Sequence, residues 1–515
     1  MASNLRFAIE RVQNFAQTAY NGVVLITSPS TKIPSVFQSA ISAAASLDKN
    51  FEKEVTILPV DNIAGGRLIH ASTGKIDPDY DDVRIFKDTA YKAIKRALSA
   101  GVTKPIIVVD KYEPFKNCEL VTLLGALEAL YVPLEVREDV PSKAKKVDAL
   151  GVYSSNPSID EIITLAKNLE SGLIVARDIG GSDPERMAPP KVQEYVENEF
   201  NSSNISIDVV SDSKELKAKF PLFQAVNRCA EHVERHKGRI IFLTYNPSND
   251  GDIPKKNYYL VGKGVTYDTG GVDIKAGGVM QGMSRDKCGA AAVAGFMKVV
   301  SLLAPRNVKI VGIMCMVRNS VGSDAYVSDE IITARSGARV RIGNTDAEGR
   351  MAMADSLCYV KELAEKSPQN THLYTIATLT GHAIRAMGKG YSIVLDNGPA
   401  RKQGHDSRLS QIGVEIADPF EISTLRKEDI QFHEAKSEGD DIIQANNLPS
   451  TMTARGHQGP GGFLLLASGL VNNGSGSEKP IAYSHLDIAA SGGFLPENAT
   501  GAPILALVSA LLLNN

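Results

Sequence analysis

Acidic and basic side chains that could do chemistry together cluster in two glycine-rich stretches of the second half of the chain. In VGKGVTYDTGGVDIK (261–275), Lys263 stands within a β-branched run, Asp268 follows five residues later, and Lys275 lies further into the same loop. Asp286 closes that loop just before an alanine-rich stretch, and NTDAEGR (344–350) sets Asp346, Glu348 and Arg350 at alternate positions before a second one. A pair of hard divalent cations wants several carboxylate oxygens. Two ions about 3.5–4 Å apart also need at least one shared carboxylate to offset their mutual repulsion. Asp268, Asp286, Asp346 and Glu348 could supply that set without any histidine. Residue type and spacing alone leave a second reading open, that of ordinary loop acids and helix N-caps. The glycines between them, Gly270, Gly271, Gly277, Gly278 and Gly282, tolerate positive φ and let backbone approach a ligand, which suits a site wall.

Elements able to hold such residues in place are legible around them. Short β-branched runs alternate with helical periodicity, the pattern of helices layered on a largely parallel sheet. In the first third the expected strands are GVVLIT (22–27), EVTILPV (54–60) and PIIVVD (105–110), with helices over 82–100 and 118–131. A further amphipathic helix over 159–179 leads into IGGSDPERMAPP, a natural boundary. Beyond it the expected strands are RIIFLTY (239–245), NYYLVGKG (257–264), VKIVGIMCMV (308–317), HLYTIATL (372–379) and YSIVLD (391–396). The fold expected is α/β in two domains: a smaller N-terminal α/β domain over 1–157, a linking helix and turn over 158–184, and a larger catalytic domain over 185–515 with a mixed, largely parallel central sheet flanked by helices. Ligand-binding residues in an open sheet belong at the carboxyl ends of its strands.

Bulk properties narrow the function classes. With 515 residues, more than one core is expected. A net charge of −3 favours neither nucleic acid nor an anionic membrane. The longest apolar run, Pro503–Leu513, reads as a buried terminal helix, too short to span a bilayer. The opening MASNLRFAIERVQNF lacks an apolar signal region and reads as the first helix of the fold, so a cytoplasmic location is expected. Five widely spaced cysteines without a C-x-x-C pair suit a reducing compartment and small buried side chains. The stretch VNNGSGSEKP (471–480) reads as a solvated loop.

Rival motifs are weak. His232 and His236 share a helical face if that segment is helical, but Glu234 sits at the wrong offset for H-E-x-x-H, so a surface helix face is expected. No G-x-S-x-G elbow is present, and the GKG of 262–264 lacks the spacing of a phosphate-binding loop.

The two stretches around Asp268 and Glu348 closely resemble the paired motifs of the leucyl aminopeptidase family of dinuclear metallopeptidases. The resemblance extends through DPERMAPPKV (183–192), TLTG (378–381), HLDIA (485–489) and ATGAP (499–503). It implies two divalent ions per subunit, Zn²⁺, Mn²⁺ or both, with Lys263, Asp268, Asp286, Asp346 and Glu348 as metal ligands. Asp268 and Glu348 would bridge the ions, Lys263 and Asp286 would serve one, and Asp346 the other. Lys263 would have to bind as the neutral amine, its pKa depressed by the adjacent dications. The resemblance also implies Lys275 and Arg350 as catalytic residues. Lys275 would donate to the developing oxyanion, and Arg350 would hold a bicarbonate that relays the proton of the attacking water. Met283, Asn344, Thr378, Leu379 and Ala489 are the expected substrate pocket, suited to Leu- or Met-like N-terminal residues.

The implied partners are peptides with a free N-terminus and five further copies of the chain in a homohexamer, with no membrane and no nucleic acid. The alternative is a catalytically weak member serving as a hexameric scaffold or binding nucleic acid. Four positions depart from the family pattern. Lys287 and Cys288 stand where an apolar Met-Gly-like pair is usual, His382 where a small residue is, and Gly492 falls near the first specificity pocket. An extra cation at Lys287 could tune the metals, approach the substrate or point outward.

Overall fold

The computed structural model describes residues 5–247, 254–367 and 369–513. Two compact units divide the chain within the helix Ile159–Gly181. One holds the residues up to Ser171 together with Ile412–Ala417; the other holds Gly172–Gln411 and the residues from Asp418 onward.

The first unit is built on six strands: β1 (Ala8–Arg11), β2 (Gly22–Thr27), β3 (Thr56–Pro59), β4 (Arg67–Ser72), β5 (Pro105–Val108) and β6 (Ala149–Tyr153). Their order is β1-β6-β5-β2-β4-β3, parallel throughout except for the edge strand β3 against β4. Val23, Val24, Leu25, Ile106 and Ile107 are fully buried, so the central strands read as continuous apolar runs covered on both faces. Here the structure corrects one expectation. The opening segment is not helical: Ala8–Arg11 is an edge strand paired in register with Ala149–Val152, with Ile9 buried between exposed neighbours. Helical reading of so short a segment loses to pairing with a partner strand some 140 residues away. Residues 1–4 of that expected helix lie outside the described residues.

The second unit carries the remaining strands. They are β7 (Ile205–Val210), β8 (Arg239–Tyr245), β9 (Lys256–Asp268), β10 (Val308–Asn319), β11 (Ile331–Thr333) and β12 (Arg339–Arg341). They continue with β13 (Asn370–Ala377), β14 (Ser392–Asp396), β15 (Phe420–Thr424), β16 (Ile442–Ile443) and β17 (Ala482–Asp487). Eight of these form a mixed sheet ordered β15-β14-β17-β13-β9-β10-β8-β7, and β11-β12-β16 form a small one beside it. In the large sheet β17, β13, β9 and β10 run parallel to one another, so their carboxyl ends open on one edge.

Two helices fix that edge from opposite faces. Cys288–Leu303 lies against the glycine face of β9 and β10: a Cβ on Gly262 would sit 2.6 Å from the Ala290 Cα. One on Gly312 would sit 2.6 Å from Val293 Cγ1. Glu348–Lys366 packs its Met351, Met353 and Leu357 into the other core, with Tyr259, Val261 and Val265 of β9. The terminal segment is buried as far as Leu511, with Leu513 exposed; it is helical only over Ile504–Val508 and widens to a π turn over Ser509–Leu513.

Candidate active site

The carboxyl ends of the parallel strands deliver most of the polar side chains. Lys263 comes from β9, and Asp268 is its last residue. Asn319 ends β10, Thr378 follows β13, and Asp487 ends β17. Asp286 stands in a 3-10 turn, Met283–Lys287, that feeds the helix Cys288–Leu303. Asp346 stands in a second one, Thr345–Ala347, that feeds the helix beginning at Glu348. All these residues except Asn319 and Asp487 line one cavity of about 1690 Å³. Lys275, Arg350, Met283, Asn344, Leu379 and Ala489 line it too, so every residue expected at the site opens onto one space.

Within it the charges interlock. Lys263 Nζ lies 2.7 Å from Asp286 Oδ1 and 2.9 Å from Glu348 Oε1, and donates to the Thr378 carbonyl at 3.0 Å. Lys275 Nζ lies 2.9 Å from Asp268 Oδ2 and also contacts Asp346 Oδ1. The Asn319 amide donates to Asp268 Oδ1 at 2.8 Å and to Glu348 Oε2 at 3.3 Å, tying the two carboxylates expected to be shared. Burial works against the charge on Lys263, but the carboxylates of Asp286, Glu348 and Asp268 outweigh it and hold the ammonium above its ordinary range. Lys275 behaves alike: Asp268 and Asp346 override the effect of burial. Burial, then repulsion from Asp268 and Glu348, pushes Asp346 up to about 7; burial raises Asp286 and Glu348 in the same direction. Carboxylates crowded and desolvated in this way are poised for cations.

The donor set fits two divalent ions on three observations. Carboxylate oxygens of Asp268, Asp346 and Glu348 fall within 4.8 Å of one another. Asp286 Oδ2 is buried and finds no hydrogen-bond partner among the described residues. Two ammonium groups already sit among the same oxygens, so the protein balances strong negative charge there. The Arg350 guanidinium is 8% exposed; its Nη1 donates to the Gln444 carbonyl at 3.0 Å and its Nε is unpartnered among the described residues. Burial lowers Arg350 to about 10. An arginine with an unpartnered donor suits an anion.

Several residues escaped the sequence reading. Asn319 lies two residues beyond the strand expected over 308–317, where β10 shifts register between Val317 and Asn319. Asp273 accepts from the backbone and hydroxyl of Thr345, linking the glycine-rich loop to the NTDAEGR turn. Asp487 takes the Thr380 hydroxyl at 2.7 Å and the backbone N–H groups of Leu379 and Ala489, fixing two of the expected pocket residues. Its place at a strand end, within HLDIA, is the signal that could have suggested that role.

The departures from the family pattern take definite places. Lys287 is fully buried and donates to the carbonyls of Ser182 and Ser284 at 2.8 and 2.5 Å. Cys288 is buried beside Gly180 and Gly492. Gly492 is packed against Thr378 and Cys288, and its neighbour Gly493 is the one that lines the cavity. His382 pairs with His457 through their Nδ1 atoms at 2.7 Å. The expected helical His232–His236 face is not formed. Residues 228–233 are turns and His236 is buried, 2.7 Å from Glu185 Oε1, because a 3-10 turn folds it inward. His232 is exposed near Glu231 and Asp324. All five cysteines are free, four of them buried. Among the described residues no helix is long and apolar enough to cross a membrane.

Comparison with known proteins identifies the family. A model of the catalytic domain of the cytosol aminopeptidase family matches residues 174–508. A candidate aminopeptidase of Caenorhabditis elegans is 42% identical over 523 aligned positions, spanning 100% of this chain and 99% of its own. A cytosol aminopeptidase of Haemophilus influenzae is 30% identical over 358 residues, 68% of this chain and 66% of its own. Among solved structures, the bottromycin maturation enzyme BotP in complex with Mn superposes with a TM-score of 0.75 over 96% of this chain and 99% of that one; at 18% identity this shows a shared fold. With a matching catalytic domain and a relative alike over its whole length, the chain belongs to the cytosol aminopeptidase family, the leucyl type of dinuclear metallo-aminopeptidases.

Proposed function

We propose that the protein removes apolar N-terminal residues, Leu and Met among them, from peptides in the cytoplasm. Two divalent ions, zinc or manganese, would be held by Lys263, Asp268, Asp286, Asp346 and Glu348. The observation that carries this reading is the convergence of those five side chains with Lys275 and Arg350 on one cavity. Ions bound there would supply a water of lowered pKa and a Lewis acid for the carbonyl.

The chain's own residues supply the rest. The Lys275 ammonium, kept charged by Asp268 and Asp346, would donate to the oxygen of a carbonyl under attack. Arg350, anchored by the Gln444 carbonyl and with its Nε unpartnered among the described residues, would hold a bicarbonate, which would supply a base for the proton of the water. Leu379 and Ala489, held by Asp487, form one side of the substrate pocket with Thr378, and Met283 and Asn344 complete it. A homohexamer is inferred from the family resemblance, and sedimentation would read it directly.

The test compares a leucyl peptide carrying a free amine with its N-acetylated analogue, each with Mn²⁺, Zn²⁺ or Co²⁺ added. Cleavage of the free amine alone is expected. Equal cleavage of both, or of neither with any metal, would overturn the exopeptidase reading.

A further inference from the structure

Gln444 lies outside both motifs, and nothing in its neighbouring sequence marks it. It follows the short strand β16 and is fully buried. Its side-chain Oε1 accepts from the backbone N–H groups of Gly343 and Asn344 at 3.1 and 3.0 Å. Its Nε2 donates to the carbonyls of Asn344 and Ala347 at 2.7 and 3.0 Å. Its own backbone N–H donates to Arg341 at 2.9 Å, and its carbonyl takes Arg350 Nη1. The amide has thus spent both donors and both acceptor positions on one short turn.

That turn carries Asp346 and leads directly into Glu348. The two segments approach as closely as backbone allows, since a Cβ on Gly343 would fall 1.9 Å from the Ala445 carbonyl oxygen. Thr345, in the middle of the turn, is held separately by Asp273, Asn319 and Tyr326. Gln444 therefore grips the two ends of the turn while those three residues grip its centre.

We infer that Gln444 is the positioning residue that sets Asp346, Glu348 and Arg350 as one rigid group, through its side-chain amide for the two carboxylates and its carbonyl for the arginine. The inference rests on the two-metal reading above. It differs from a merely structural role in what it predicts. Partners behind a ligating group typically govern metal affinity by about 10- to 100-fold.

Gln444→Met keeps the side chain's length and removes its hydrogen bonds; Gln444→Asn keeps the amide but withdraws it by one methylene. Mn²⁺ is titrated calorimetrically into chelator-treated protein, and amide hydrogen exchange is followed at residues 343–348 in the same metal-free samples. For Gln444→Met we expect Mn²⁺ affinity to fall about 10- to 100-fold, exchange at 343–348 to quicken, and kcat to fall with KM little changed. Gln444→Asn should show the same changes more mildly, and serves if the Met variant does not fold. Unaltered affinity and unaltered exchange in a folded variant would overturn the role of Gln444. A wild-type protein that binds no divalent ion would instead overturn the two-metal reading, while the exchange measurement still decides whether Gln444 holds the turn.

Discussion

Gly349→Ala would add a methyl group to the second residue of the helix Glu348–Lys366, facing Lys263. Helix propensity favours the change by about 1 kcal/mol, because alanine loses less backbone freedom than glycine on folding. Contact opposes it. The new Cβ would stand 2.4 Å from Lys263 Cε, 2.6 Å from Cδ and 2.7 Å from Nζ. Carbon atoms settle at about 3.5 Å or more, so the end of Lys263 must retreat by about 1 Å. Lysine is flexible, yet this one is 3% exposed and pinned by Asp286, Glu348 and the Thr378 carbonyl, so there is little room to yield. Overpacking of this kind costs about 1–3 kcal/mol, which against the helical gain leaves a net loss of about 0–2 kcal/mol. Catalysis should suffer far more, since a misplacement of about 1 Å can lower turnover about 100-fold. Urea unfolding at constant m-value would read the first quantity, and kcat on a leucyl substrate the second. If the variant were more stable by about the full helical increment and turned over within about twofold of wild type, Lys263 would not be held where the structure places it, or would not matter there.

Two further outcomes are expected. Lys287→Met removes an ammonium that holds two backbone carbonyls, so stability should fall by about 1–3 kcal/mol in thermal or urea unfolding while kcat of the folded protein stays within a small factor. A large loss of kcat at unchanged stability would show that Lys287 reaches the reacting groups after all. The second concerns pH. Asp346 is raised from an ordinary 3.8 to about 7 in the protein alone, so the folded chain binds a proton that the unfolded chain has already lost between those values. Metal-free protein should therefore lose stability from this group as pH rises from about 4 to about 7. Metal must displace that proton, so Mn²⁺ affinity should climb through the same window and level off above it. Calorimetric titrations giving the same affinity on both sides of about pH 7 would refute this.

The charged residues of the site were readable because all but Asp286 lie in two contiguous motifs, each bound to a strand end or a helix start by a few residues of chain. The residues that arrange them were not. Asn319 and Gln444 are uncharged amides at the ends of strands, and nothing local distinguishes them from solvated loop residues until β10 and β16 bring them to Asp268 and Asn344. Lys287 adjoins Asp286, which left open whether it tuned the metals, approached the substrate or pointed outward; neighbours in a tight helical turn point different ways, and its ammonium turns to Ser182. The central strands of both units stood out as apolar runs. The edge strand β1 did not, since only Ile9 and Val12 of its neighbourhood are buried and its identity depends on β6.

The contact between β9, β13 and the helix Cys288–Leu303 has a consequence for how such proteins can diverge. A Cβ on Gly289 would stand 2.1 Å from the Ile376 carbonyl oxygen, as one on Gly262 would crowd the Ala290 backbone. At both places the spacing is set by main chain against main chain, where every larger residue is refused and none smaller exists. Lys263 rides on β9 and Asp286 on the turn that feeds the helix, so no graded series of substitutions at these contacts can stretch or shrink the interval between them. Copies of this gene that drift apart would keep these two side chains at one spacing and vary instead in the loops around Ile274, Leu448 and Leu495 that rim the cavity and whose side chains stand exposed.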